Sequence, residues 1–245
     1  MTQQTSPLVH LDKVTRSFGP VQALRGVSLR VDPGECIGLV GHNGAGKSTL
    51  MNVLFGLLAI DGGEYRFAGE PCSPASLADA GIACVSQEIV LAANLSVTET
   101  ACLLRRDLKG WGWGWRSRAA RLLVGTLDEI FPGHGIAGND LIGDLPIGKR
   151  QMIEIARAFT VPGLRLVILD EPTSSLDASA ASQLLDYVAR KREAGLAVVL
   201  ITHILGEILQ ASSRVVVMRD GQIVMDRAAP GLTRHDLVEA MGQHT

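Results

Sequence analysis

The chain has 245 residues, 47% of them hydrophobic and 20% charged, enough apolar material for a full buried core and unlike a disordered segment. A formal net charge of −2 gives no global attraction to nucleic acid, and the opening MTQQTSPLVHLDKV has no basic stretch followed by an apolar run, so no signal peptide is read there. The strongest apolar run, GLAVVLITHIL, is too short to cross a bilayer, and Cys36, Cys72, Cys84 and Cys102 are scattered without a C-x-x-C pair, so the expectation is a soluble cytosolic protein with reduced, packed thiols.

In chain order, β-rich runs come first, at 9–14, 27–31 and 36–40. The third runs into a glycine-rich loop and then KSTLMNVLFGLL, where Leu50, Met51, Val53, Leu54, Leu57 and Leu58 mark a helix with one buried face. GEYRFAG and GIACVS read as further strands. From about Gln87 to Arg150 the pattern turns helical, broken by KGWGWGW and FPGHGIAGND. After that, the IEIARAF helix, the LRLVILD strand, a helix from ASAASQLLDYVARKREAG and the AVVLITH strand alternate in α/β fashion. RVVVMRDGQIVMDR predicts a hairpin around Asp220-Gly221, the dipeptide favoured in a type I′ turn. The sum is an α/β core with an antiparallel edge and a helical section inserted near 88–160.

Gly41 to Ser48 fits G-x-x-x-x-G-K-[ST] between a strand and a helix, the context this phosphate-binding loop requires. Gly41, Gly44 and Gly46 let the backbone turn its N–H groups toward phosphate oxygens, and the helix starting near Lys47 adds its positive end. Lys47 is expected to reach the β- and γ-phosphates, and the Ser48 hydroxyl to ligate Mg²⁺. In LRLVILDE an apolar strand ends in two acids: Asp170 is expected to hold Mg²⁺, directly or through water, and Glu171 to face the water that attacks the γ-phosphate. His42 reads as a solvent-facing passenger. No N-K-x-D motif is present, which argues against a GTPase.

With these motifs in hand, the chain resembles the nucleotide-binding subunit of an ATP-binding cassette (ABC) transporter, from about residue 8 to 243. The resemblance implies a single domain with a P-loop NTPase-type core of mostly parallel strands over about 1–87 and 161–245. It also implies an N-terminal antiparallel β subdomain and an α-helical subdomain over about 88–160. It extends the ATP-binding set to Asn43, Ala45 and Thr49 and to Phe18, which matches the aromatic that stacks on adenine. Gln87 in VSQE matches the glutamine that senses Mg²⁺ and the attacking water, and His203 the switch histidine that contacts the γ-phosphate. Ser175 and Asp177 fall in the loop that crosses the dimer interface. Leu145, Pro146, Ile147, Gly148 and Lys149 occupy the signature turn, which acts on the partner cassette's ATP. More narrowly, VSQEIVLAANLSVTET and IGKRQMIEIARAF resemble the ATPases of bacterial monosaccharide importers, matching the first of their two fused cassettes.

The implied partners are membrane permease subunits, a second cassette (identical or not) and, indirectly, a periplasmic solute-binding protein. The implied location is the inner face of the cell membrane. Pro146 departs from the family pattern, because it stands where a serine supplies a hydroxyl and an N–H to the γ-phosphate, and proline has neither. Proline nevertheless suits a helix start, so a helix over 147–160 is expected. Lys149 reads as a solvated first-turn residue, with a compensating charge on the phosphate as the alternative. Two other readings stay open: a cassette that binds ATP but hydrolyses it weakly in a regulatory role, and an ABC ATPase that moves no solute. The basic, Trp-containing stretch at 105–121 reads as a membrane-partner contact or packing rather than as a nucleic-acid surface.

Overall fold

The computed structural model of the chain describes residues 6–77, 79–104 and 114–242. Strands β1 (Val9–Phe18) and β2 (Val21–Val31) form an antiparallel hairpin, with Val9 opposite Val31 and Phe18 opposite Val21. Both outrun the apolar stretches at 9–14 and 27–31, because ladder hydrogen bonds carry the pairing past Val14 and back from Val27 where few side chains are buried. β3 (Cys36–Val40), buried throughout, leads into helix α1 (Lys47–Leu54). β4 (Gly62–Phe67), the short β5 (Glu70–Pro71), one turn of α2 (Pro74–Leu77) and β6 (Ile82–Val85) follow.

The helical section holds α3 (Val97–Leu104), α4 (Trp115–Ile130) and α5 (Ile147–Phe159). It is less helical than its pattern suggests. The stretch before α3 instead bonds to the chain ahead of α5, Ile142 N–H to Leu95 O and Gly143 N–H to Ala93 O. Then come β7 (Leu166–Asp170), α6 (Ala178–Glu193), β8 (Ala197–Ile201), α7 (Leu205–Ala211), β9 (Arg214–Arg219), β10 (Gln222–Ala228) and α8 (Arg234–Met241). Asp220 and Gly221, at φ 49° and 78°, make the β9–β10 turn in the left-handed conformation that a type I′ turn needs. Thr233 and Asp236 close a reciprocal capping box on α8, a T-x-x-D signal that the periodicity reading passes over.

Two sheets result: β2-β1-β4-β5, and a six-stranded sheet in the order β10-β9-β3-β8-β7-β6, in which β3, β6, β7, β8 and β9 are joined by parallel pairings. The central strands are apolar without interruption because both faces are covered. In β7, Val167 and Leu169 face a core shared with the helices, while Leu166 and Ile168 face a second core with β1, β2 and α1. β8 repeats this, with Val198 and Leu200 on one side and Val199 and Ile201 on the other. Phe131, fully buried at the end of α4, belongs to the helix-side core. Phe131→Ala should therefore lower unfolding stability by about 3–5 kcal/mol in urea titrations. Ile147→Ala, at a side chain 63% exposed, should change it by less than about 0.5 kcal/mol.

Candidate functional site

The register of the parallel strands gathers the chemistry. Leu39 of β3 pairs with Ile201 of β8, and Ile201 pairs with Asp170 of β7, so the carboxyl ends of three neighbouring strands stop at one level. The glycine loop, the two acids and His203 leave the sheet there, along the edge where open α/β sheets bind ligands.

Within the loop, two glycines are required by close approach. A Cβ at Gly41 would lie 2.3 Å from the Met218 carbonyl oxygen. Gly46 has φ 102°, and a Cβ there would lie 2.7 Å from the Ala23 carbonyl oxygen. The loop is also tied to the β9–β10 turn, since Gly221 N–H donates to Ala45 O at 3.0 Å and Arg25 N–H to Gly221 O at 2.8 Å. Gly46 caps α1 without a side-chain bond, and the first amide to find an acceptor inside the helix is that of Leu50. The amides of Lys47, Ser48 and Thr49 are thus the free N–H groups of a helix start, suited to an anion. They open on a cleft of about 520 Å³ lined also by Asn43, Gly44, Ala23, Arg25, Asp220 and Gly221. Ala23, Arg25, Asp220 and Gly221 come from outside the loop, and only the Asp-Gly turn among them carries a local sequence signal.

Lys47 folds its ammonium onto the loop, donating to Gly41 O at 2.6 Å and His42 O at 3.0 Å. Burial lowers its pKa, opposed by the carboxylates of Asp170 and Glu171. Asp170 is raised, first by burial and then by Glu171, with Lys47 acting against the rise. A divalent cation beside Asp170 would relieve that burial and repulsion together, so the carboxyl group and the exposed hydroxyl-bearing Ser48 fit a magnesium site completed by phosphate oxygens.

Glu171 adopts φ 51°, left-handed for a non-glycine residue, while its N–H still donates to Ile201 O at 2.8 Å. Such a conformation costs about 1–3 kcal/mol and is concentrated at functional positions. The Glu171 Oε2 lies 2.7 Å from His203 Nδ1, but the approach lacks hydrogen-bond alignment, and that buried oxygen has no hydrogen-bond partner among the described residues.

The other expected residues fall into place unevenly. Gln87 is exposed, two residues beyond Val85 of β6, which pairs with Leu169, so it emerges at the same edge of the sheet. Phe18 is 46% exposed at the end of β1, with the Arg16 guanidinium 5.1 Å from its ring centre, and faces Val21, which lines the cleft. Asp177 has a local duty that its placement in an interface loop does not reveal: it caps α6, accepting from Ala180 N–H at 2.8 Å. Ser175 lies against the first turn of α5, because a Cβ on Gly148 would lie 2.8 Å from the Ser175 carbonyl oxygen.

In that turn Leu145 is extended and Pro146 is the N-cap of α5, which starts at Ile147 as expected. Lys149 is not free in solvent. It donates to Gly135 O at 2.8 Å, so its ammonium serves the 131–140 loop of its own chain. Trp115 opens α4, half-buried against the helix-side core under the Arg116 guanidinium, while residues 105–113 of the basic stretch lie outside the described residues.

The family profile described as "ABC transporter" matches residues 24–174, from β2 through both acids. The chain belongs to the ABC transporter family. Ribose import ATP-binding protein RbsA 1 of Burkholderia ambifaria is 38% identical over 98% of this cassette, and the match occupies 47% of that relative. Ribose import ATP-binding protein RbsA of Corynebacterium glutamicum is 38% identical over 91% of the cassette and 43% of the relative. The cassette thus spans about half the length of the curated relatives it matches.

Among solved structures, the ADP conformation of an ATP-binding cassette of an ABC transporter is 25% identical with a TM-score of 0.79, covering 98% of this chain and 100% of that one. A dimeric, post-hydrolysis cassette bound to ADP and Pi is likewise 25% identical at TM-score 0.79, covering 91% and 100%. The ATP-binding subunit of an ABC transporter, 23% identical at TM-score 0.81 over 96% and 100%, supports the α/β fold alone.

Gly46→Ala should weaken ATP binding to this cassette by about tenfold or more in titration calorimetry, through backbone strain and the contact with Ala23 together.

Proposed function

We propose that this chain is the ATP-binding and ATP-hydrolysing cassette that powers a sugar importer, working with permease subunits and a second cassette at the cytoplasmic face of the membrane. The meeting of the glycine loop, Asp170 and Glu171 at one sheet edge carries the reading. The solute class rests on the ribose-import relatives, and a periplasmic solute-binding protein would be the indirect partner that delivers it. No helix among the described residues is long and apolar enough to cross a membrane; in this reading the permease partner supplies the transport path.

In this reading the loop amides and Lys47 hold the β- and γ-phosphates, Lys47 exchanging its two carbonyl acceptors for phosphate oxygens. Phe18, whose strand partner Val21 lines the cleft, would stack on adenine. Ser48, Asp170 and Gln87 would hold Mg²⁺, which supplies charge neutralisation on the phosphates. Glu171 orients and deprotonates the attacking water, and His203, beside it, meets the γ-phosphate. Catalysis is then positioning and charge stabilisation, as phosphoryl transfer requires.

The second cassette's ATP is met by this chain's Leu145–Lys149 turn, with Ser175 and Asp177 alongside. Pro146 brings that ATP neither hydroxyl nor N–H, and loss of one such donor lowers rate by roughly 10²–10³. The proline favours weak hydrolysis when two copies pair, with full activity at the Lys47 site reserved for a partner whose turn is intact.

Glu171→Gln should cut phosphate release by roughly 10²-fold or more with ATP affinity nearly unchanged. In the isolated chain Pro146→Ser should raise turnover; an equal rate in that variant would remove the hydroxyl argument.

A further inference from the structure

The turn that faces the second cassette has lost the residue type that ordinarily stabilises such a helix start. Serine at an N-cap accepts from the first-turn amides, whereas Pro146 makes no side-chain cap bond. Intrahelical bonding begins only with Arg150 N–H to Pro146 O, at 3.1 Å. Something else must hold the chain leading into α5, because the presentation of the Ile147, Gly148 and Lys149 amides depends on the Leu145–Pro146 peptide plane.

Arg150 does so from one turn further along. Its guanidinium folds back under the turn, with Nε donating to Leu145 O and Nη2 to Gly143 O, both at 2.7 Å. The first bond fixes the Leu145–Pro146 peptide plane. The second fixes the segment before it, where Gly143 N–H is already bonded to Ala93 O at 2.9 Å. On the other side Gly148 rests against the Ser175 carbonyl. The two carbonyl dipoles, which would repel an approaching phosphate, are thereby turned inward onto a cation. Arg150 forms no ion pair among the described residues, and both of its guanidinium bonds go to main-chain carbonyls. A planar fork suits this geometry; a lysine's rotatable ammonium, on a flexible stem, would hold the two carbonyls less rigidly.

We propose that Arg150 is the positioning residue of the signature turn: by bracing the Gly143 and Leu145 carbonyls it holds residues 146–149 in the pose that meets a γ-phosphate on the opposing cassette, in place of the cap that Pro146 cannot make. This rests on the two-cassette reading given above.

The test uses the full chain in a Glu171→Gln background, so that ATP is bound but not consumed. Arg150→Met should speed amide hydrogen exchange in the 143–149 backbone by about tenfold or more, with Arg150→Lys intermediate. ATP affinity of the single chain should be unchanged, because that site is built on Lys47, while ATP-driven association in sedimentation should weaken by about tenfold. Pro146→Ser should strengthen association by a larger factor in Arg150→Met than in the Arg150 parent, a non-additivity that independent roles for the two residues would not produce. Unchanged exchange, unchanged association, or a parallel fall in single-chain ATP affinity would each overturn the proposal. A parent protein that stays monomeric in ATP would contradict self-pairing instead, and hydrogen exchange together with its rescue by Pro146→Ser would then decide the role of Arg150.

Discussion

The hydrogen bonds from Gly221 N–H to Ala45 O and from Arg25 N–H to Gly221 O join three parts of the chain that are apart in sequence. The phosphate loop, the β9–β10 turn and strand β2 meet there within distances that admit no extra atoms: a Cβ on Gly46 or on Gly221 would lie 2.7 Å from the Ala23 carbonyl oxygen. This constraint fixes the shape of the loop, and its helix-start amides are aimed by the antiparallel sheet and the edge hairpin together. A loop free to collapse would bond its own amides, and its attraction for phosphate would be spent internally.

The cassette presents two surfaces of different quality. In the proposed assembly its own site would draw on a braced loop, a half-buried lysine, a metal-fitting aspartate and a glutamate held in a strained conformation beside His203. In the proposed assembly the turn offered to a second cassette would combine a sound scaffold with a missing donor. That scaffold is cross-linked to the rest of the chain, with Gly148 against Ser175, Lys149 on Gly135 and Arg150 on Gly143 and Leu145. A serine-to-proline change here alters the chemistry of the turn while leaving α5 and its packing in place. Such a change suits an assembly in which the two ATP sites do unequal work.

The layered α/β fold was readable because the central strands are apolar on both faces and the helices are periodic. The glycine loop and paired acids were readable because their chemistry is local in sequence. Part of what escaped depends on contacts between distant segments, and part on local geometry that residue type alone does not announce. Nothing near Ala23, Gly135 or Ser175 announces that a glycine or a lysine elsewhere will rest on its carbonyl. Asp177 was read as an interface residue, and its cap on α6 emerges only once the helix start is placed. Lys149 looked solvated because the carbonyl it binds belongs to a loop without periodicity. Arg150 was passed over altogether, since its role comes from folding back on the residues before it.

The central claim is that the proline defect lies in the turn this chain lends, not in the site it owns. Mixing tests it directly: the unmodified chain is combined with a Lys47→Ala, Pro146→Ser double variant, which cannot use its own loop but offers a repaired turn. Phosphate release from the mixture should exceed the sum of the two proteins measured alone, because mixed pairs complete the unmodified chain's Lys47 site with a serine-bearing turn. A mixture no faster than that sum, while sedimentation shows mixed pairs forming, would contradict it.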